Sequence, residues 1–127
     1  SLLRNLKFMK TTNWNTIKTE KDVLDIIEKS KDKPQIIFKD SVSCGISAFA
    51  KERLKNDSPL IESISAFNYL DLLSYREVSN FIAKKLNVIH QSPQIIVLIK
   101  GEVIYRDSHH SIEAKKIANK ITTFVEG

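Results

Sequence analysis

The sequence predicts an α/β fold in which a mixed central sheet is flanked by helices, with the elements in the order βαβαβαββα. Three observations carry this expectation. Short runs of branched and aromatic residues have the length of buried strands, longer runs with apolar residues at helical spacing lie between them, and two strand-like runs near the C-terminus are separated only by Lys100-Gly101. Parallel crossover units come first and a hairpin closes the sheet, which requires helices on both faces. The 127 residues suit one domain, assigned to residues 13–127. Residues 1–12 show no clear period and are expected to form a flexible lead-in.

Each element has a local reason. A first strand is expected at residues 14–18, with Trp14 in the core. Thr19-Glu20-Lys21-Asp22 is a capping-box pattern, and Val23, Leu24 and Ile27 then recur at helical spacing. Pro34 opens a strand at residues 34–39. A polar loop, Asp40 to Ser43, leads to a helix whose apolar face is Ile46, Phe49, Ala50 and Leu54, ending before Asn56-Asp57-Ser58-Pro59. Residues 61–70 read as the third strand. Ser74-Tyr75-Arg76-Glu77 reads as a second capping box ahead of Val78, Phe81, Ile82 and Leu86. Pro93 precedes a strand at residues 94–99, residues 103–105 complete the hairpin, and a last helix carries Ile112, Ile117, Ile121 and Phe124.

Composition narrows the partners. The formal charge of +5 comes from lysines spread along the chain, without the aromatic-plus-basic pattern of an RNA-binding strand, so no nucleic acid is expected. No apolar run approaches the roughly 20 residues of a membrane span, and the first residues lack a signal-peptide pattern, so neither membrane nor export is expected. A solitary cysteine, Cys44, cannot form an intramolecular disulfide, which fits a reducing cytosol and a cytoplasmic location. His90, His109 and His110 lie in loops without ligand spacing, and no metal is expected.

The chemistry converges on Cys44. Only a thiolate attacks a disulfide, and a free cysteine with a pKa near 8.5 is mostly protonated at neutral pH. At the first turn of a helix, unpaired amides and the positive dipole end favour the anion. Lys39, on the preceding strand, is a candidate to add positive potential. Ser47 lies one turn beyond Cys44, where a dithiol enzyme keeps its resolving cysteine. A hydroxyl cannot form that bond, so a second small thiol must clear any adduct, and the mechanism is monothiol. For Ser47 the plainer alternative is a surface hydroxyl, and for Cys44 an inert buried thiol.

The element order, with a cysteine opening the second helix and a proline just before the fourth strand, resembles the thioredoxin fold. The run Phe38-Lys39-Asp40-Ser41-Val42-Ser43-Cys44-Gly45-Ile46-Ser47 resembles the active-site segment of YtxJ-type monothiol bacilliredoxins, as do His90-Gln91-Ser92-Pro93-Gln94 and Ser108-His109. That resemblance implies a thiol–disulfide oxidoreductase that removes bacillithiol, a low-molecular-weight thiol, from mixed disulfides on client proteins. It implies Cys44 as catalytic residue within the motif Ser43, Gly45, Ile46, Ser47, and Ser92 and Pro93 as substrate-binding residues with a cis bond. Lys39 and His109 remain candidates near the active face, His109 with a helix-cap or surface role as the alternative. Bacillithiol would be a co-substrate, with no resident cofactor. Gly45 stands where the family usually has proline, so Cys44-Gly45-Ile46-Ser47 also resembles the Cys-Gly-Phe-Ser motif of monothiol glutaredoxins. That likeness implies a second function, a scaffold for a [2Fe–2S] cluster shared by two chains. A third is a non-catalytic interaction module on the same fold.

Overall fold

A computed structural model of the chain describes residues 14–41 and 45–127. The elements are β1 (Asn15–Thr16), α1 (Glu20–Lys29), β2 (Gln35–Asp40), α2 (Gly45–Asn56), α3 (Pro59–Glu62), β3 (Ala66–Asp71), α4 (Arg76–Leu86), β4 (Gln94–Ile99), β5 (Glu102–Ser108), a 3₁₀ turn (His109–Ser111) and α5 (Ala114–Glu126). The expected lead-in at residues 1–12 lies outside the described residues.

The sheet order is β1-β3-β2-β4-β5. β1 and β2 pair parallel to β3, whereas β4 runs antiparallel to both β2 and β5. β2 and β4 are buried along their whole length because both of their faces are covered. Alternation divides their side chains. Ile36, Phe38, Ile95, Val97 and Ile99 pack under Ala50 and Leu54 of α2, Ile61 of α3, and Ile117 and Ile121 of α5. Ile37, Ile96 and Leu98 face Val23 and Ile26 of α1, and Val78 and Ile82 of α4. The β4–β5 hairpin turns through Lys100 and Gly101, both at positive φ (52° and 80°), the backbone that a two-residue turn between right-twisted strands requires. The turn is tied to the end of α1, where Ser30 O accepts from Lys100 N–H at 2.7 Å and Ser30 Oγ accepts from Gly101 N–H at 2.9 Å.

Thr19 forms the capping box of α1 as expected: its Oγ1 accepts from Asp22 N–H at 3.1 Å while Asp22 Oδ2 accepts from Thr19 N–H at 3.0 Å. Other expectations need correction. Residues 61–70 are not one strand, because Pro59 starts the short helix α3 and β3 begins only at Ala66. Ser74 does not cap α4; its hydroxyl donates to Asp71 Oδ2 at 2.9 Å, and Tyr75 occupies the cap position without a side-chain bond. The buried stripe of α1 is Val23 and Ile26, with Leu24 exposed, and Phe49 and Phe124 are likewise exposed. Ile112 is buried but precedes the last helix. The first strand is only two residues long, although Trp14 beside it does pack on the core, stacked on Phe67 at 4.3 Å.

Candidate functional site

Cys44, Ser43 and Val42 lie outside the described residues, so the site is defined by its surroundings. β2 ends at Asp40, and α2 begins at Gly45, the residue after Cys44 in the chain. The two ends of this connection are pinned to each other: Ser41 N–H donates to Ser47 Oγ at 3.2 Å. Ser47 is fully buried, which overturns its reading as a surface hydroxyl. Its hydroxyl ties the residue after β2 to the first turn of α2, and Ile46 beside it is half-buried while Gly45 is exposed.

Across the sheet, the register Lys39↔Gln94 is the last pair of the β2–β4 ladder. One residue further, Pro93 lies at the level of Asp40, so the segment before β4 runs beside the start of the Cys44 loop. The Ser92-Pro93 bond is cis, as the resemblance implied. Pro93 is buried, and its carbonyl accepts from His109 N–H at 3.1 Å. His109 adopts a positive φ of 57° in the 3₁₀ turn. The sequence candidates Ser92, Pro93 and His109 therefore do come together, with His109 joining through its backbone. The neighbouring His110 meets Phe49 of α2 edge-on at 6.5 Å, and its carbonyl accepts from Arg53 Nη1 at 3.2 Å. Arg53 also pairs with Glu113 at 2.9 Å.

Lys39 points away from α2, onto the face shared with α4. It is fully buried, and burial pushes its pKa down to about 8. Nζ donates to Ser79 O at 3.1 Å and contacts His90 Nδ1 at 3.3 Å. An ammonium has donors only, so His90 Nδ1 is the acceptor and the ring proton resides on Nε2. Ser79 Oγ lies 3.4 Å from the same nitrogen. Burial, aided by the charges of Lys39 and Arg76, holds the imidazole below the usual histidine range, consistent with a neutral ring.

Asp40 points to the opposite face and is also buried. Its Oδ2 accepts a short hydrogen bond from Tyr69 OH, and Lys51 Nζ lies 3.7 Å away. Burial, then the bond to Asp40, raises the Tyr69 pKa above the ordinary tyrosine range. Asp40 Oδ1 and Ser92 Oγ are buried without a hydrogen-bond partner among the described residues. Sequence reasoning missed Asp40, Tyr69, Ser79 and the role of His90. A visible signal was the lysine inside an apolar strand, a residue type almost never buried unless it has partners.

This sheet order, with the cis-proline segment level with the end of β2, defines the class: the protein has a thioredoxin fold. It belongs to the monothiol bacilliredoxin BrxC family, whose sequence profile matches residues 15–117. Among solved structures, it is similar to a candidate oxidoreductase with a thioredoxin fold, at 29% identity and a TM-score of 0.72, covering 84% of this chain and 91% of that one. Thioredoxin from Fasciola hepatica matches at 18% identity and TM-score 0.65 over 86% of this chain and 97% of that one. Chloroplastic thioredoxin z matches at 17% and 0.70 over 92% and 98%. The last two show the fold. No helix of the described residues is long and apolar enough to cross a membrane.

Proposed function

We propose that this protein is a monothiol thiol–disulfide oxidoreductase of the cytoplasm that removes bacillithiol from mixed disulfides on client proteins through Cys44. The observation that carries the reading is the family match across residues 15–117 in a chain with a single cysteine. The buried hydroxyl of Ser47, at the position of a resolving cysteine, supports it. The Cys44 thiolate attacks the bacillithiol sulfur, the bond between bacillithiol and client breaks, and the client sulfur leaves with the electron pair. A second bacillithiol thiolate then attacks the adduct and leaves as bacillithiol disulfide, which restores Cys44. Bacillithiol is thus a co-substrate, and no resident cofactor is required.

The test is intact-mass analysis after reduced protein meets a bacillithiol-modified client, with a glutathione-modified client in parallel. Transfer of one bacillithiol mass to Cys44, lost in Cys44→Ser and slower with glutathione, is expected. A client that keeps its adduct while Cys44 remains unmodified refutes the proposal.

A further inference from the structure

We infer that Lys39 and His90 form an acid-sensitive latch, in which the neutral ring closes residues 87–92 onto β2 and α4 and a proton on that ring releases them. The latch is independent of the proposed transfer reaction.

The first observation is the contact itself. Lys39 Nζ is fully buried and donates to Ser79 O of α4 and to His90 Nδ1, while Ser79 Oγ lies 3.4 Å from the same nitrogen. The bond from the ammonium needs a lone pair on Nδ1, which only the neutral ring has. A protonated ring carries N–H on both nitrogens, so across 3.3 Å a donor would face a donor and a cation would face a cation. Among the described residues no carboxylate offsets that repulsion. The charged groups acting on the ring are Lys39 of β2 and Arg76 of α4, both cations, whereas Ser79 of α4 and Gln94 of β4, which also hold the segment, are neutral. The stretch from Asn87 to Ser92 carries no charge of its own besides His90.

The second observation is how little else fastens this stretch. Val88 and Pro93 are buried, but Ile89, His90 and Gln91 between them are exposed. Among the described residues, these three are held by the bonds of the His90 ring and by one from Gln94 Nε2 to Ile89 O at 2.9 Å. Loss of the ring contacts leaves a single bond on exposed chain, the kind of region that opens locally. The direction of the pH effect follows. Burial and the two cations hold the closed ring below its ordinary value of 6.5, so opening takes up a proton. The open population therefore rises as the pH falls below about 6.5, by up to about tenfold per pH unit.

The test is nuclear magnetic resonance of the nitrogen-15-labelled chain between about pH 7.5 and about pH 5, the range in which a histidine changes charge. Imidazole nitrogen shifts report the state of His90, and backbone relaxation reports the order of the segment. Wild type is expected to show order parameters of about 0.85 at Ile89 and Gln91 near neutrality and below about 0.6 at the acid end, with ring protonation sharing the same midpoint. His90→Gln, whose side-chain oxygen accepts from Lys39 and does not titrate, stays ordered throughout. Because it keeps His109 and His110, it separates the latch from those rings. In Lys39→Met the ring takes its proton at a higher pH, and the step in segment order disappears. A wild-type segment that remains ordered at about pH 5 overturns the inference, as does the same step in His90→Gln or Lys39→Met. None of these measurements reads transfer to Cys44, so the proposed function stands or falls separately.

Discussion

Replacing Lys39 with methionine should make the protein more stable near neutral pH. The side chain is fully buried, and its pKa of about 8 compares with an ordinary lysine value of 10.5. That difference corresponds to a penalty of about 3 kcal/mol for keeping the ammonium in the folded state. Methionine retains the apolar stem but gives up the bonds to Ser79 O and His90 Nδ1, together worth about 2 kcal/mol, so the expected net gain near pH 7 is about 1 kcal/mol. The pH dependence follows from the sign of the change. Because the folded-state value is the lower one, the penalty is fully present below about pH 8. Between about 8 and 10.5 the unfolded chain holds more protons than the folded one, so wild-type stability climbs with pH relative to the variant. The two proteins should reach parity at about pH 9, above which wild type is the more stable. Urea unfolding followed through Trp14, the single tryptophan, measures this directly. A variant less stable than wild type near neutrality, or a gap that does not change with pH, would refute the reasoning.

Tyr69→Phe removes the hydroxyl that donates to buried Asp40 and should cost about 2–3 kcal/mol, read as a lower urea midpoint with unchanged slope. Ser47→Ala leaves Ser41 N–H without its acceptor and should lower stability by about 1 kcal/mol, visible as a lower melting temperature. Ser47→Cys places a thiol three residues after Cys44 in the chain, and under mild oxidant an internal disulfide is expected to form; free-thiol titration that still finds two thiols contradicts this. Thr19→Ala breaks the capping box of α1 at a cost of about 1 kcal/mol in thermal unfolding.

Strands buried on both faces were the most legible part of the sequence. β4 is a nearly continuous apolar run after Pro93 and β2 has Ile36-Ile37-Phe38 at its centre after Pro34, and both runs are too short for a typical helix. The N-terminus of α1 was equally readable because its capping box is purely local. Residues 61–70 misled because their apolar side chains serve two different elements, and only the position of Pro59 separates them. At Ser74 the capping pattern was present, but Asp71, three residues earlier, takes the hydroxyl. Phe49 looked like core from its spacing, yet the 3₁₀ turn covers it only in part through His110, a contact across more than sixty residues. The cis bond at Pro93 followed from the resemblance, whereas the burial of Ser47 did not, and Cys44 lies outside the described residues. The Lys39–Ser79–His90 junction was not legible, since its members lie 40 and 51 residues from Lys39 and nothing in their local patterns connects them.

The turn at residues 109–111 touches two partners at once. Through His110 it grips Phe49 and Arg53, and through His109 it holds the carbonyl of Pro93. The helix that follows the cysteine and the proline segment opposite are therefore mechanically geared: a shift of either one is passed through a three-residue link to the other. Under the proposed transfer reaction, a displacement of α2 would reach the Pro93 segment through that link, and a client seated against the segment would in turn steady α2.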